Sequence, residues 1–322
     1  MGESWELSDR PEAPTPVAEG QLSGQTLTEV LAGNALELLG DLRGTSTSPV
    51  LFPLLYKFIG AREKLSVQVH PGDGSPLGEA KTECWYVVDA FPDAALIVGV
   101  RPEGRSREET LALLTSPACE TVLQRLPARK GDTFFIPAGT VHAITEGLLL
   151  YEVQQNSDTT FRLYDWGRVD AHGTPRALHV AEGAAVADTR ARAGYHIPPL
   201  TVTHGSHVET WLVACPYFAL VKWSVFHGPA RLETHGRFRV VTVLAGSVTM
   251  RPVAGDVMHL GVGNTAMIPA CHSVVAVEAS TNAELLLSFV PESADEVREP
   301  LRVAGHAPAA IDALFGPGGG TA

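Results

Sequence analysis

The stretch Leu65-Ser66-Val67-Gln68-Val69-His70-Pro71 decides the fold, together with Lys81-Thr82-Glu83-Cys84-Trp85, which follows it. The first stretch alternates apolar and polar residues, which predicts a β-strand with its polar side chains on one face. Glu83 stands just before a second strand-like run. Glutamine, histidine and glutamate side chains that meet on neighbouring strands are suited to bind a divalent metal.

A second motif supplies a further metal ligand. Residues 131–142 read Gly-Asp-Thr-Phe-Phe-Ile-Pro-Ala-Gly-Thr-Val-His, which indicates a turn, a short apolar strand, a second turn and a histidine. Because turn residues fix where a strand ends, we expect His142 to point into a barrel interior. The motif resembles the second signature of the cupin superfamily, whose double-stranded β-helix barrels commonly bind a metal.

A third block, residues 151–168, makes the resemblance specific. It reads Tyr-Glu-Val-Gln-Gln-Asn-Ser-Asp-Thr-Thr-Phe-Arg-Leu-Tyr-Asp-Trp-Gly-Arg. In this order the three blocks resemble the short bacterial and archaeal form of the type I mannose-6-phosphate isomerases, strongly in the N-terminal half and in outline beyond it. The resemblance implies an enzyme that interconverts mannose 6-phosphate and fructose 6-phosphate through a cis-enediol intermediate.

The resemblance also implies a zinc ion, one per chain, and assigns roles to residues. The implied zinc ligands are Gln68, His70, Glu83 and His142. The implied catalytic residues are Arg162, Glu152 and Lys81, and the implied substrate-binding residues are Ser66, Lys81 and Arg168. From the residues alone, Gln68 would rank as a neighbour of the metal instead of a ligand, because glutamine is an unusual zinc ligand.

The predicted fold is mainly β, with two cupin-type (double-stranded β-helix or jelly-roll) barrels and a few helices inserted in the N-terminal half. We expect a metal-binding catalytic domain over residues 1–186, a connector over 187–209, a degenerate second barrel over 210–292 and a tail over 293–322 with a mobile end. Helical spacing predicts helices over 27–40 and 106–114, the second capped by Ser106. Apolar runs predict strands over 51–58, 65–70, 85–90, 95–100, 133–136 and 148–154.

Composition limits the partners. The chain has 322 residues and a net charge of −12, and 45% of its residues are hydrophobic. This charge argues against a general nucleic-acid or membrane-surface binder, so an anionic sugar phosphate would need a local cationic pocket. The sequence has no apolar stretch of about 20 residues and no signal peptide pattern, and its four cysteines are widely spaced. We therefore expect a cytoplasmic monomer or weak homodimer.

Two other function classes remain open. A different metal-cupin enzyme, such as an iron oxygenase, would usually need a His-x-His first motif, which this chain replaces with Gln68-x-His70. A sugar-binding or regulatory cupin without activity would not require Glu152 or Arg162.

Some residues also have structural interpretations. Lys81 could be a solvated loop lysine, and Arg162 could pair with Asp158 or Asp165. We expect the remaining histidines to be structural or solvated. Among them His204-x-x-His207 is a weak metal motif, because no acidic or cysteine partner has the usual spacing.

Overall fold

The computed structural model describes residues 2–42, 50–101, 104–226 and 228–317. Strands are its commonest regular elements, which confirms the mainly β prediction. The chain divides into two compact units, which we call the N-terminal unit (Met1–Ser4 with Leu54–Ile197) and the C-terminal unit (Trp5–Pro53 with Pro198–Ala322). This grouping differs from the predicted domain bounds in placing residues 5–53 with the C-terminal residues. The functional division into a catalytic and a degenerate barrel stays a prediction.

Strands in the first half of the chain form two five-stranded sheets. They are β1 (Gly2–Leu7), β2 (Leu54–Ala61), β3 (Val67–Val69), β4 (Glu83–Ala90), β5 (Ala95–Val100), β6 (Leu123–Pro127), β7 (Thr133–Ile136), β8 (His142–Ile144), β9 (Leu148–Gln155) and β10 (Phe161–Tyr164). One sheet has the order β1-β2-β9-β4-β7 and the other has the order β10-β3-β8-β5-β6. Apolar side chains from both sheets form one core, which includes Ile59, Trp85, Leu96, Val98, Phe134, Ile136, Ile144 and Leu150.

Strand register places polar residues in rows across these sheets. In one sheet Gln68 of β3 lies opposite His142 of β8 on one side and Arg162 of β10 on the other. Strand β3 is shorter than the predicted strand over 65–70, so Ser66 and His70 flank it. Residues directly opposite one another on paired strands share a face, so the register alone brings these three side chains together.

The second row lies in the other sheet. Glu152 of β9 lies opposite Lys57 of β2 and Trp85 of β4. Glu83, at the start of β4, shares the face of Trp85 because side chains alternate along a strand. Three charged side chains, those of Lys57, Glu83 and Glu152, therefore project from one face of this sheet, with Glu83 two residues along β4 from the row.

Both predicted helices of the first half are confirmed. Helix α1 spans Leu27–Leu39 and α2 spans Arg107–Leu114. The hydroxyl of Ser106 accepts a hydrogen bond from the backbone N–H of Glu109 at 3.1 Å, as the predicted N-cap requires. Gly40 ends α1 with a φ of 76°, a conformation that favours glycine. A third helix, α3, spans Val180–Val186.

Two more sheets form in the second half of the chain. Their strands are β11 (Leu200–Thr203), β12 (His207–Ala214), β13 (Ala219–Val225), β14 (Ala230–Glu233), β15 (Arg239–Ala245), β16 (Ser247–Pro252), β17 (Met258–Gly261), β18 (Thr265–Ile268), β19 (Val274–Ala279) and β20 (Ala283–Phe289). A six-stranded sheet has the order β11-β12-β13-β20-β15-β18, and a four-stranded sheet has the order β14-β19-β16-β17.

Most of the predicted tail is helical. Helix α4 spans Ala294–Val303 and α5 spans Pro308–Ala313, and both bury apolar side chains such as Val297, Leu301 and Ile311. The last five residues of the tail, 318–322, which belong to the predicted mobile end, lie outside the described residues. Within the described ranges, no helix has the length and apolar character needed to cross a membrane.

Candidate metal centre and substrate cavity

Three predicted ligands, His70, Glu83 and His142, form a buried cluster. Each side chain is at most 1% exposed. The two oxygens of Glu83 lie 3.5 Å from Nε2 of His70 and 3.3 Å from Nε2 of His142. The side-chain nitrogen of Gln68 lies 3.2 Å from Nε2 of His142. All four predicted metal ligands therefore meet, although they come from three separate blocks of sequence.

Hydrogen bonds fix the tautomers of the two histidines. Nδ1 of His70 lies 2.8 Å from the carbonyl oxygen of Thr159, and Nδ1 of His142 lies 2.8 Å from that of Thr140. A carbonyl only accepts, so each Nδ1 carries the proton and donates it. Each neutral ring then turns the lone pair of Nε2 toward Glu83.

This arrangement fits a bound cation. Lone pairs of two imidazoles face carboxylate oxygens, and acceptors facing acceptors repel one another unless a cation lies among them. Oε1 of Glu83 and Nε2 of His70 are buried and have no hydrogen-bond partner among the described residues. Imidazole nitrogens held by Nδ1–H bonds to backbone carbonyls are typical metal ligands.

Burial keeps both imidazoles neutral. Desolvation lowers the pKa of His142 to about 4, although the bond to the Thr140 carbonyl opposes this shift. Desolvation also lowers the pKa of His70 well below its usual value, and nearby Lys81 lowers it further. Neutral histidines are the form that binds a metal, so the cluster is ready for one near neutral pH.

A cavity of about 550 Å³ opens beside the cluster. Six predicted site residues line it: Ser66, Gln68, Lys81, Glu152, Arg162 and Arg168. Its wall carries many charged side chains, which also include Lys57, Asp165 and Arg176. The structure thus brings every predicted site residue to the cavity or to the cluster of predicted ligands beside it.

Glu152 is a buried carboxylate held by two neighbours. Its Oε2 accepts a hydrogen bond from Nε1 of Trp85 at 2.7 Å. Its Oε1 lies 3.6 Å from Nζ of Lys57. Desolvation and the charge of Glu83 raise the pKa of Glu152, while Lys81, Lys57 and the Trp85 bond lower it without cancelling the rise. A raised pKa suits a carboxylate that takes a proton and gives it back.

Lys81 is buried, so its interpretation as a solvated loop lysine is wrong. Nζ of Lys81 lies 3.2 Å from Oε2 of Glu83, and the residue is 5% exposed. Burial alone would lower the pKa of Lys81, but Glu83 and Glu152 outweigh it and raise that pKa. Lys81 therefore stays cationic near neutral pH and balances two buried carboxylates.

The three arginines that line the cavity differ in their ion-pair and hydrogen-bond partners. Arg176 donates two hydrogen bonds to Asp165, at 2.6 and 2.8 Å, and Arg168 pairs with the same carboxylate. Arg162 makes no ion pair with Asp158 or Asp165 within the described residues. One nitrogen of its guanidinium donates to the carbonyl of Ala177 at 2.8 Å, and its Nε is buried without a hydrogen-bond partner in that part of the chain. The ion-pair interpretation of Arg162 is therefore wrong.

Sequence reasoning missed two of the cations that line the cavity. Lys57 is 5% exposed and stands alone as a cation in the apolar run of β2, which is a signal that could have found it. Arg176 lies in an irregular segment, and no sequence signal distinguishes it from other loop arginines.

Comparison with known proteins places the chain in a family. Residues 1–93 match the family model "Phosphomannose isomerase type I, catalytic domain". The mannose-6-phosphate isomerase ManA of Bacillus subtilis is 35% identical over 269 residues, which cover 80% of each chain. The chain belongs to the mannose-6-phosphate isomerase family. The part matched by the family model contains five of the predicted site residues: Ser66, Gln68, His70, Lys81 and Glu83.

Solved structures of this family share the fold. A crystal structure of the mannose 6-phosphate isomerase from Bacillus subtilis superposes with a TM-score of 0.80 at 32% identity, covering 90% of both chains. A mannose 6-phosphate isomerase in a zinc-bound form superposes with a TM-score of 0.70 at 17% identity, covering 90% of this chain and 91% of that one. At that lower identity the similarity extends to the fold alone.

Proposed function

We propose that this chain is a zinc-dependent aldose–ketose isomerase that interconverts mannose 6-phosphate and fructose 6-phosphate through a cis-enediol intermediate. The observation that carries the proposal is the buried Glu83 carboxylate faced by two imidazole lone pairs, beside a cavity that Glu152 lines. Membership of the family supports both the reaction and the substrate.

Gln68, His70, Glu83 and His142 would hold the zinc. Three neutral ligands and one carboxylate leave the ion with about one net positive charge. Zinc bound there supplies a Lewis acid that polarises the substrate carbonyl. Lys81, beside Glu83, adds a fixed positive charge at this end of the cavity.

Glu152 is our candidate for the proton-transferring base. Isomerisation moves a proton between C1 and C2 of the sugar, so a base must reach both carbons. Oε1 of Glu152 has no hydrogen-bond partner among the described residues, while Trp85 holds Oε2 in place. The raised pKa of Lys81 keeps that side chain protonated, so Lys81 cannot accept the proton. This leaves Glu152 as the better candidate for the base.

Arg162 would stabilise negative charge that develops on the substrate oxygens. It lies opposite Gln68 in the strand register, next to the proposed zinc ligands. Among the described residues no carboxylate within 4.0 Å neutralises its charge. A preorganised cation at this place can lower the energy of an enediolate-like transition state.

Ser66 and Arg168 would hold the phosphate. Arg168 and Arg176 share the carboxylate of Asp165, which leaves these three residues with one net positive charge. An arginine fork suits a phosphate group. Lys81 was predicted for both catalysis and substrate binding, and its contact with Glu83 favours the role at the metal end.

We also propose a cellular location and an assembly state. No disulfide joins the four cysteines, all of which are described residues, and this supports a reducing compartment such as the cytoplasm. A monomer or weak homodimer stays our proposal for the assembly.

The decisive experiment incubates the zinc-loaded protein with mannose 6-phosphate and follows the formation of fructose 6-phosphate. We expect turnover that a chelator abolishes and added zinc restores. Tight binding of the sugar phosphate without any conversion would instead identify a sugar-binding protein and refute the proposal.

A further inference from the structure

We propose that His204, His207 and Glu209 form a second metal site, which binds one divalent transition-metal ion in the C-terminal unit. The three residues lie on the hairpin of β11 and β12. The backbone N–H of His204 donates to the carbonyl of His207 at 2.9 Å, which closes the turn. His207 and Glu209 are two residues apart on β12 and therefore share a face. No acidic residue has the usual spacing from these histidines in the sequence, but the hairpin brings Glu209 beside both of them.

Distances within this trio suit coordination. Nε2 of His204 lies 3.4 Å from Oε2 of Glu209, and Nε2 of His207 lies 3.5 Å from its Oε1. Bonds of about 2.0–2.1 Å in a tetrahedral site place neighbouring ligand atoms about 3.3 Å apart. One donor atom from each residue can lie within 4.8 Å of the other two. The trio is therefore nearly at ligand spacing before any ion binds.

The surroundings hold two of the three ligands in place. His207 is 6% exposed, and its ring packs on Trp223 with a centroid separation of 4.3 Å. Nδ1 of His207 lies 3.1 Å from the hydroxyl of Ser206, while its Nε2 faces Oε1 of Glu209 at 3.5 Å. Glu209 lies opposite Trp223 in the strand register. His204, at the exposed turn, is the least buried of the three.

His204 would complete the site by a small rotation. Its ring is stacked on that of His207 at 4.5 Å with only 13° between the planes. A metal lies near the plane of each imidazole that binds it, so two parallel rings must tilt apart. The side chain of His204 is 42% exposed, so packing constrains it less than it constrains His207, whose side chain is 8% exposed.

Ligand chemistry selects the ion. Two imidazole nitrogens and one carboxylate favour Zn²⁺, Co²⁺, Ni²⁺ or Cu²⁺, whereas Mg²⁺ and Ca²⁺ prefer sites made of oxygen alone. Glu209 supplies the carboxylate of this set, and three protein ligands leave the remaining positions to water.

The test counts metal ions instead of turnover. The purified chain is stripped with a chelator, dialysed to equilibrium against micromolar zinc chloride, and its zinc is measured per folded chain. We expect two zinc ions in the wild type and one in His204→Ala or Glu209→Gln. His259→Ala, which removes an exposed histidine elsewhere in the same unit, should retain two. Melting temperatures identify any variant that fails to fold, and Glu209→Gln preserves the size of the side chain.

A background variant separates this site from the proposed catalytic zinc. In His142→Ala one zinc should remain, and adding His204→Ala should remove it. Wild-type zinc content in both His204→Ala and Glu209→Gln would overturn the proposal. A single zinc that disappears with His142→Ala would also overturn it. If the wild type holds a single zinc, and that zinc persists in His142→Ala but is lost in His204→Ala, the result would support this site and refute the proposed catalytic one.

Discussion

Replacing Arg162 with alanine distinguishes a catalytic cation from a structural one. The side chain of Arg162 contributes little to stability. Within the described residues it forms no ion pair and donates one hydrogen bond to the carbonyl of Ala177. Loss of one partly exposed hydrogen bond costs about 1 kcal/mol of the free energy of unfolding. The melting temperature should therefore fall by only a few degrees.

The expected effect on the reaction is much larger. If Arg162 stabilises charge that develops in the transition state, its loss removes a preorganised donor. Removing such a donor typically lowers kcat on the order of a hundredfold, which corresponds to about 2.7 kcal/mol. Substrate affinity should change less, because the interaction strengthens only as charge develops.

Arg107→Ala is the matched control. Arg107 also donates its guanidinium hydrogen bonds to backbone carbonyls, including that of Ala187 at 2.7 Å, but it does not line the cavity. Steady-state kinetics with mannose 6-phosphate and thermal unfolding are measured on the zinc-loaded wild type, Arg162→Ala and Arg107→Ala. Arg107→Ala should lose stability with nearly unchanged kcat. If Arg162→Ala behaves in the same way, Arg162 has no role in the reaction.

Three further changes test the rest of the site. His142→Ala should lose most of the catalytic zinc and the activity, whereas a control variant at the exposed His196, His196→Ala, should keep both. Normal turnover in His142→Ala would show that His142 is not a ligand. Arg168→Gln should raise KM for mannose 6-phosphate several-fold with a smaller effect on kcat, and an equal loss of affinity for unphosphorylated mannose would contradict a phosphate contact. The base must be deprotonated, so kcat/KM should fall as pH drops through the raised pKa of Glu152. Lys57 lowers that pKa, so Lys57→Met should move the acid limb of the pH profile to higher pH, and an unmoved limb would exclude Glu152 or its pairing with Lys57.

Interactions between residues close in the sequence determine several features of this protein. The Ser106–Glu109 capping pair sets the start of α2 because both partners lie within one turn of helix. Alternation around Val67 and Val69 predicts which side chains face away from the core, because the period of a strand is two. These patterns, with the family resemblance, predict that Gln68, His70, Glu83 and His142 lie together, and the structure brings the four side chains together.

Only the tertiary structure decided how side chains from distant segments meet. Lys57 reaches Glu152 because β2 pairs with β9 in one particular register, and a shift by one residue would turn it to the other face. The carboxylate of Asp165 pairs with Arg168 and Arg176 and not with Arg162, which lines the cavity. The sequence did not determine which of these arginines would pair with Asp165. Glu209 joins His204 and His207 because a tight turn folds one strand onto the next. Such contacts depend on strand register and sheet packing, and these are properties of the whole fold that no short pattern contains.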